Sequence, residues 1–140
     1  MEIFDARPLL NARTNKLKGG GYEDCGPDKA YSNCKITFGD IDNIHAVREA
    51  YEKVHDLASL YTCKISDKSL AQYFHSVFDA SNYRLVIMRI LSCVGEILHS
   101  LSVKQYNILV HCSDGWDRTA QLCSLSQLML GPFYRTFEGF

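Results

Sequence analysis

The residues best suited to chemistry stand in one run, His111-Cys112-Ser113-Asp114-Gly115-Trp116-Asp117-Arg118-Thr119. Of the six cysteines in the chain, only Cys112 has an arginine six positions on. A thiolate attacks phosphorus well, but a free cysteine with a pKa of about 8.5 is mostly protonated at neutral pH. A helix N-terminus and a nearby cation lower that value. The five residues between Cys112 and Arg118 allow the backbone to curl round one phosphate, its N–H groups pointing inward as a nest. Arg118 would grip two phosphate oxygens with its planar fork. The same donors would meet charge that develops in the transition state. A covalent cysteinyl-phosphate would form and be hydrolysed by water. Asp117, inside the loop and next to Arg118, is the first choice for the acid that protonates the leaving oxygen; Asp114 is the second. The competing reading is a buried, inert cysteine at a strand end with an unrelated surface arginine.

Two elements must position this loop. Tyr106-Asn107-Ile108-Leu109-Val110 has the apolar core of a buried strand. After the loop, Leu122, Leu125 and Met129 recur at helical spacing. That helix, over Thr119–Leu130, ends at Gly131-Pro132, a C′ glycine followed by a stop. Residues 106–130 therefore read as strand, phosphate loop and helix. The loop lies at the positive end of a helix dipole, where unpaired N–H groups favour an anion. The expected fold class is α/β, a central sheet with flanking helices and the site at a strand's carboxyl end.

Upstream, Ile3-Phe4 is followed by Asp5-Ala6-Arg7-Pro8, and Pro8 disfavours helix at Arg7. Asn11–Glu23 reads as a loop with three consecutive glycines and a basic cluster of Arg13, Lys16 and Lys18. Cys34–Phe38 reads as a short strand, and a helix begins near Asn43, capped by Asp42 or Asn43. Ile44, Val47, Tyr51, Val54 and Ala58 form its predicted stripe, and Glu49 and Lys53 are spaced for an exposed pair. His45 and His55 read as surface or boundary residues. Leu70, Phe74, Val77 and Phe78 suggest a short helix capped by Ser66 or Asp67. A longer one follows from about Asn82 to Ser102, with Ile87, Ile90, Leu91, Val94, Ile97, Leu98 and Leu101 on its apolar face. Phe133, Tyr134, Phe137 and Phe140 want partners that nearby residues do not offer.

The chain has 140 residues, 46% apolar and 22% charged, with a formal net charge of −1. That fits one globular domain at most and gives bulk charge no role in binding nucleic acid or anionic membrane. No apolar run approaches the length of a membrane-spanning segment, and no apolar signal core follows Glu2 and Asp5. The cysteine usage suggests a reducing compartment. Cys25 and Cys34 do not make a zinc pair.

The loop HCSDGWDRTAQL resembles the signature of the myotubularin phosphoinositide phosphatases, within the cysteine-dependent phosphatase superfamily. The resemblance extends to FDARPLLNARTNKLKGGGYE, DIDNIHAVRE and FYRTFEGF, with a divergent stretch from about Leu60 to Val103. There the family has tryptophan where this chain has Tyr73 and Phe74. The resemblance implies a partial cysteine-dependent phosphatase fold, with residues 1–140 part of a domain that continues at both ends. It implies a 3-phosphatase acting on phosphatidylinositol 3-phosphate and phosphatidylinositol 3,5-bisphosphate. Cys112, Asp117 and Arg118 would be catalytic, and Asn15, Asn43, Ile44, Ser113, Asp114, Gly115 and Trp116 would bind substrate. No cofactor or metal is implied. The implied partners are phosphoinositide head groups at a membrane surface and myotubularin chains, its own or a relative's, in a dimer; nucleic acid is not among them. The implied location is cytoplasmic, peripheral on endosomal-type membranes. Two alternatives remain: a non-catalytic remnant that binds phosphoinositide or a partner, and a protein tyrosine phosphatase. Asp114 and Asp117 match the lipid family better than the latter.

Overall fold

The computed structural model describes residues 1–17, 19–62 and 68–140, without the side chains of 60–62 and 68–70. Lys18, the predicted caps Ser66 and Asp67, and the Leu70 side chain lie outside the described residues. The chain forms two compact units, residues 1–41 with 89–140 and residues 42–88. Among the described residues the class is α/β, as the sequence predicts: five α-helices and a three-stranded parallel sheet.

The first unit is built on that sheet. Strand β1 (Glu2–Asp5) lies at its centre, between β2 (Lys35–Phe38) and β3 (Ile108–His111). Ile3 pairs with Ile36 on one side and Leu109 on the other; Asp5 pairs with Phe38 and His111. Because all strands run parallel and in register, their carboxyl ends meet along one edge. The sequence reading leaves β1 unassigned, since charged residues flank a single apolar pair. Both charges are satisfied inside the unit. Glu2 is 5% exposed. It accepts hydrogen bonds from the Ser100 hydroxyl and from Lys104 Nζ (3.1 Å), which together hold its carboxyl below the usual range against burial. A buried carboxylate is tolerable when it is paired and hydrogen-bonded.

Strand β3 begins two residues later than predicted and is not fully buried. It is an edge of the observed sheet, and Leu109 is 40% exposed.

Helix α1 (Leu9–Lys16) overturns part of the predicted Asn11–Glu23 loop. Pro8 stands just ahead of it, where a missing N–H costs nothing, and the helix stops before the glycine run. Its only buried residue is Ala12, so its apolar signal was weak. Helix α5 (Arg118–Leu130) follows the phosphate loop and buries Leu122 and Ser126. Gly131 ends it in an extended conformation (φ −103°), not the left-handed one expected of a C′ glycine. A Cβ there would lie 2.8 Å from the Tyr134 ring, so close approach explains the glycine. A 3-10 turn, Pro132–Arg135, leads to the aromatic end, where Phe137 and Phe140 are fully exposed.

In the second unit, α2 (Ile44–Thr62) packs with α3 (Lys68–Ala80). Asn43 caps α2: its Oδ1 accepts from the amides of His45 (3.0 Å) and Ala46 (3.1 Å). The predicted Glu49–Lys53 pair forms at 2.8 Å. The buried stripe is Ala50 and Leu57 with Val47 and Val54 at its margin, whereas Ile44, Tyr51 and Ala58 are exposed. A helix with apolar residues on two adjoining faces does not announce which one is covered. His45 and His55 are exposed, as predicted.

Helix α4 (Tyr83–Ser102) begins in the second unit and ends in the first. By length and composition it is apolar enough to cross a membrane. Its buried face is Val86, Ile90, Cys93, Val94 and Ile97, while Ile87 and Leu91 of the predicted face are exposed. Within the first unit its face meets the sheet: a Cβ on Gly39 would lie 3.2 Å from Cys93 Sγ and 3.3 Å from the Ala6 backbone.

Candidate active site

At the carboxyl edge of the sheet the backbone ties three chain segments together. Ala6 N donates to His111 O (2.8 Å), Gly39 N to Asp5 O (2.7 Å) and Ile41 N to Ala6 O (3.0 Å). The phosphate loop leaves β3 at this edge and turns back into α5. Gly115 makes the turn with φ +82°, a left-handed conformation that glycine adopts without strain.

Cys112 is 7% exposed. Burial pushes its thiol up, and the neighbouring Thr119 hydroxyl with the amides of Thr119, Gly115 and Asp114 outweighs it. The thiol therefore moves from 9.0 to about 7. Gly115 N lies 3.3 Å from Sγ. Thr119 Oγ1 is buried and has no hydrogen-bond partner of normal geometry. These donors favour the thiolate by hydrogen bonding to its charged form. Three other cysteines behave oppositely: burial pushes Cys93 up to about 11 and also raises Cys25 and Cys123.

Arg118 is 7% exposed and opens α5. Its Nη2 donates to Ser113 Oγ (3.2 Å) and its Nη1 to Ile41 O (3.4 Å). Its Nε is buried without a partner. A buried guanidinium N–H left open beside a ring of inward amides is suited to an oxyanion. Asp117 is half-buried, and its Oδ1 accepts from Gln121 Nε2 (3.0 Å). The Asp114 side chain and Trp116, 70% exposed, face solvent.

Behind the loop lies a buried ion pair. Arg7, 3% exposed, donates to both carboxylate oxygens of Asp5, with Nε at 2.9 and 3.1 Å and Nη2 at 2.6 Å. The same Nη2 donates to Gly21 O (2.6 Å), which fastens the glycine run to the end of β1. Two residues on, Glu23 Oε2 lies 3.0 Å from His111 Nε2. The hydrogen bonds to Asp5 hold Arg7 charged against burial, and the negative charges of Cys112 and Glu23 add to this.

Of the predicted site residues, Cys112, Ser113, Gly115, Asp117 and Arg118 are brought together, with Asp114 contributing its amide. Asn15 sits in the last turn of α1, where its carbonyl accepts from Gly20 N (3.0 Å). Among the described residues no hydrogen bond joins it to the phosphate loop. Asn43 and Ile44 open α2 in the second unit, one as its cap and the other 48% exposed. In the predicted basic cluster, Lys16 Nζ lies over the Tyr22 ring at 5.7 Å. The sequence reading missed Thr119, Gln121, the Asp5–Arg7 pair and Ile41 O. Thr119 was within reach, as the residue adjoining Arg118; Ile41 O carries no side-chain signal at all.

The sequence matches the myotubularin-like phosphatase domain family over residues 1–140. It is 39% identical to the human phosphatidylinositol-3,5-bisphosphate 3-phosphatase MTMR8 over 139 residues, 99% of this chain and 18% of that protein. It is 40% identical to the Caenorhabditis elegans phosphatidylinositol-3,5-bisphosphate 3-phosphatase mtm-1 over 138 residues, 99% of this chain and 21% of that one. It is 40% identical to rat myotubularin over 140 residues, 100% of this chain and 22% of that one. The chain spans about a fifth of the length of these curated relatives. With a nucleophile-ready cysteine, an open arginine and this match along its whole length, the chain belongs to the myotubularin-like phosphatase family.

Proposed function

We propose that the chain forms the catalytic part of a phosphoinositide 3-phosphatase. The observation that carries this reading is the pairing of Cys112, its thiol at about 7, with Arg118 Nε buried and open in one loop. The Cys112 thiolate attacks phosphorus, and the bond from phosphorus to the inositol oxygen breaks. Asp117 gives its proton to that oxygen, and Arg118 and the loop amides hold the three non-bridging oxygens. Water then attacks the cysteinyl-phosphate, Asp117 takes its proton, and phosphate leaves with the thiolate restored. The names of the relatives favour phosphatidylinositol 3,5-bisphosphate and, for the mouse phosphatidylinositol-3-phosphate phosphatase MTMR7, the monophosphate. Asn15, Asn43, Ile44 and Trp116 are assigned to the head group by resemblance. The substrate is a membrane lipid, so the enzyme acts peripherally on cytoplasmic, endosomal-type membranes, and association with another myotubularin chain belongs to the same reading.

The test is phosphate release from both lipids and from a phosphotyrosine peptide, by the parent chain and by Cys112→Ser. Release from the lipids that the variant abolishes supports the reading. Release by Cys112→Ser at the parent rate ends the cysteinyl-phosphate mechanism. Preference for the peptide moves the function to a protein phosphatase, and lipid binding without release moves it to a binding remnant.

A further inference from the structure

An aspartate at the N-cap, just ahead of a helix's first residue, normally turns its carboxylate onto the amides two and three residues ahead. Asp117 holds that position on α5 and makes no such bond. Its backbone, at φ −110° and ψ −90°, lies outside the extended region where capping residues sit. The amide of Thr119, one of the two a cap would satisfy, instead helps to hold the Cys112 thiol down. The Asp117 carboxylate is held from one turn ahead. Gln121 Nε2 donates to its Oδ1 (3.0 Å), while the Gln121 backbone N donates to the Asp117 carbonyl O (3.2 Å) and so fixes the two residues one turn apart. Among the described residues no other side chain bonds to Asp117. The helix N-terminus is thus left clear for the sulfur and an anion, and one carboxylate oxygen, Oδ2, is left uncommitted.

We propose that Gln121 is a positioning residue for Asp117, fixing the carboxyl group through Oδ1 so that Oδ2 serves the leaving oxygen. This rests on the reading of Asp117 as the general acid. An ordinary surface pair at this spacing would only add slightly to helix stability. The positioning role makes a different demand: the carboxyl group must hold one orientation while its proton passes to the oxygen leaving phosphorus.

Gln121→Met keeps the length and helix preference of the side chain and removes the donor. With phosphatidylinositol 3-phosphate, whose alkoxide leaving group needs a proton, kcat is expected to fall by about tenfold with KM unchanged. With an aryl phosphate, whose leaving group departs without help, kcat should stay within about twofold. Independently of turnover, three-bond couplings should show one Asp117 χ1 rotamer in the parent chain and averaging in the variant. An unchanged rotamer distribution overturns the proposal, as does an unchanged lipid kcat where Asp117→Asn lowers it. Equal losses on both substrates by Asp117→Asn would refute the acid role itself, and the coupling measurement would still report on whether Gln121 orients the carboxylate.

Discussion

Thr119→Val removes one hydroxyl and keeps the shape of the side chain, so it isolates the largest favourable influence on the Cys112 thiol. A hydrogen bond to a charged group contributes about 1.5–3 kcal/mol, and one pH unit in a midpoint corresponds to about 1.4 kcal/mol. Loss of the hydroxyl should therefore raise the midpoint from about 7 by about one to two units. At a shift of about one unit the thiolate fraction at pH 7 would fall from about a half to about a tenth. The thiolate that remains is about 2.5–3-fold more nucleophilic per unit of basicity gained. A rate at pH 7 alone would therefore drop only about twofold, and the midpoint is the quantity to measure. The assay is alkylation by iodoacetamide between pH 5 and 10, with the Cys112 peptide followed by mass. Cys93, at about 11, stays protonated over most of that range. The expected result is a curve shifted to higher pH with a higher plateau. Superimposable curves would refute the assignment of the low thiol value to Thr119 and return it to the loop amides. The same shift links to stability. A thiol at about 7 when folded and 9.0 when unfolded stabilises the fold fully above pH 9, and the contribution disappears as pH falls through 7.

Arg118→Lys keeps the charge and loses the fork, so kcat should fall by far more than affinity for the lipid; a normal kcat would show that charge alone suffices. Arg7→Met leaves the Asp5 carboxylate buried and unpaired, at a cost of about 3–5 kcal/mol, read as a lower urea midpoint; an unchanged midpoint would mean that the pair is structurally idle. Asn43→Ala removes both cap bonds of α2 and should cost about 1 kcal/mol by the same measurement, with Cys112 alkylation unaffected.

The Cys112–Arg118 loop was legible in the sequence because its geometry is local. Cys112, Gly115 and Arg118 lie within seven consecutive residues, and a strand before and a helix behind dictate how the backbone between them curls. The Asn43 cap and the Glu49–Lys53 pair are legible for the same reason, since each joins residues no more than one helical turn apart. Tertiary structure decided what depends on surfaces meeting. The Glu2-Ile3-Phe4-Asp5 segment carries no strand pattern, yet it is the central strand, because Ser100 and Lys104 arrive from about a hundred residues away to satisfy Glu2. Helices α2 and α4 each have apolar residues on more than one face, and only packing selected which to bury. Arg118 is held by the Ile41 carbonyl, 77 residues distant and without a side-chain signature. The Cys112 thiol value is likewise a balance of burial against donors, and burial exists only once the chain has closed around the sulfur.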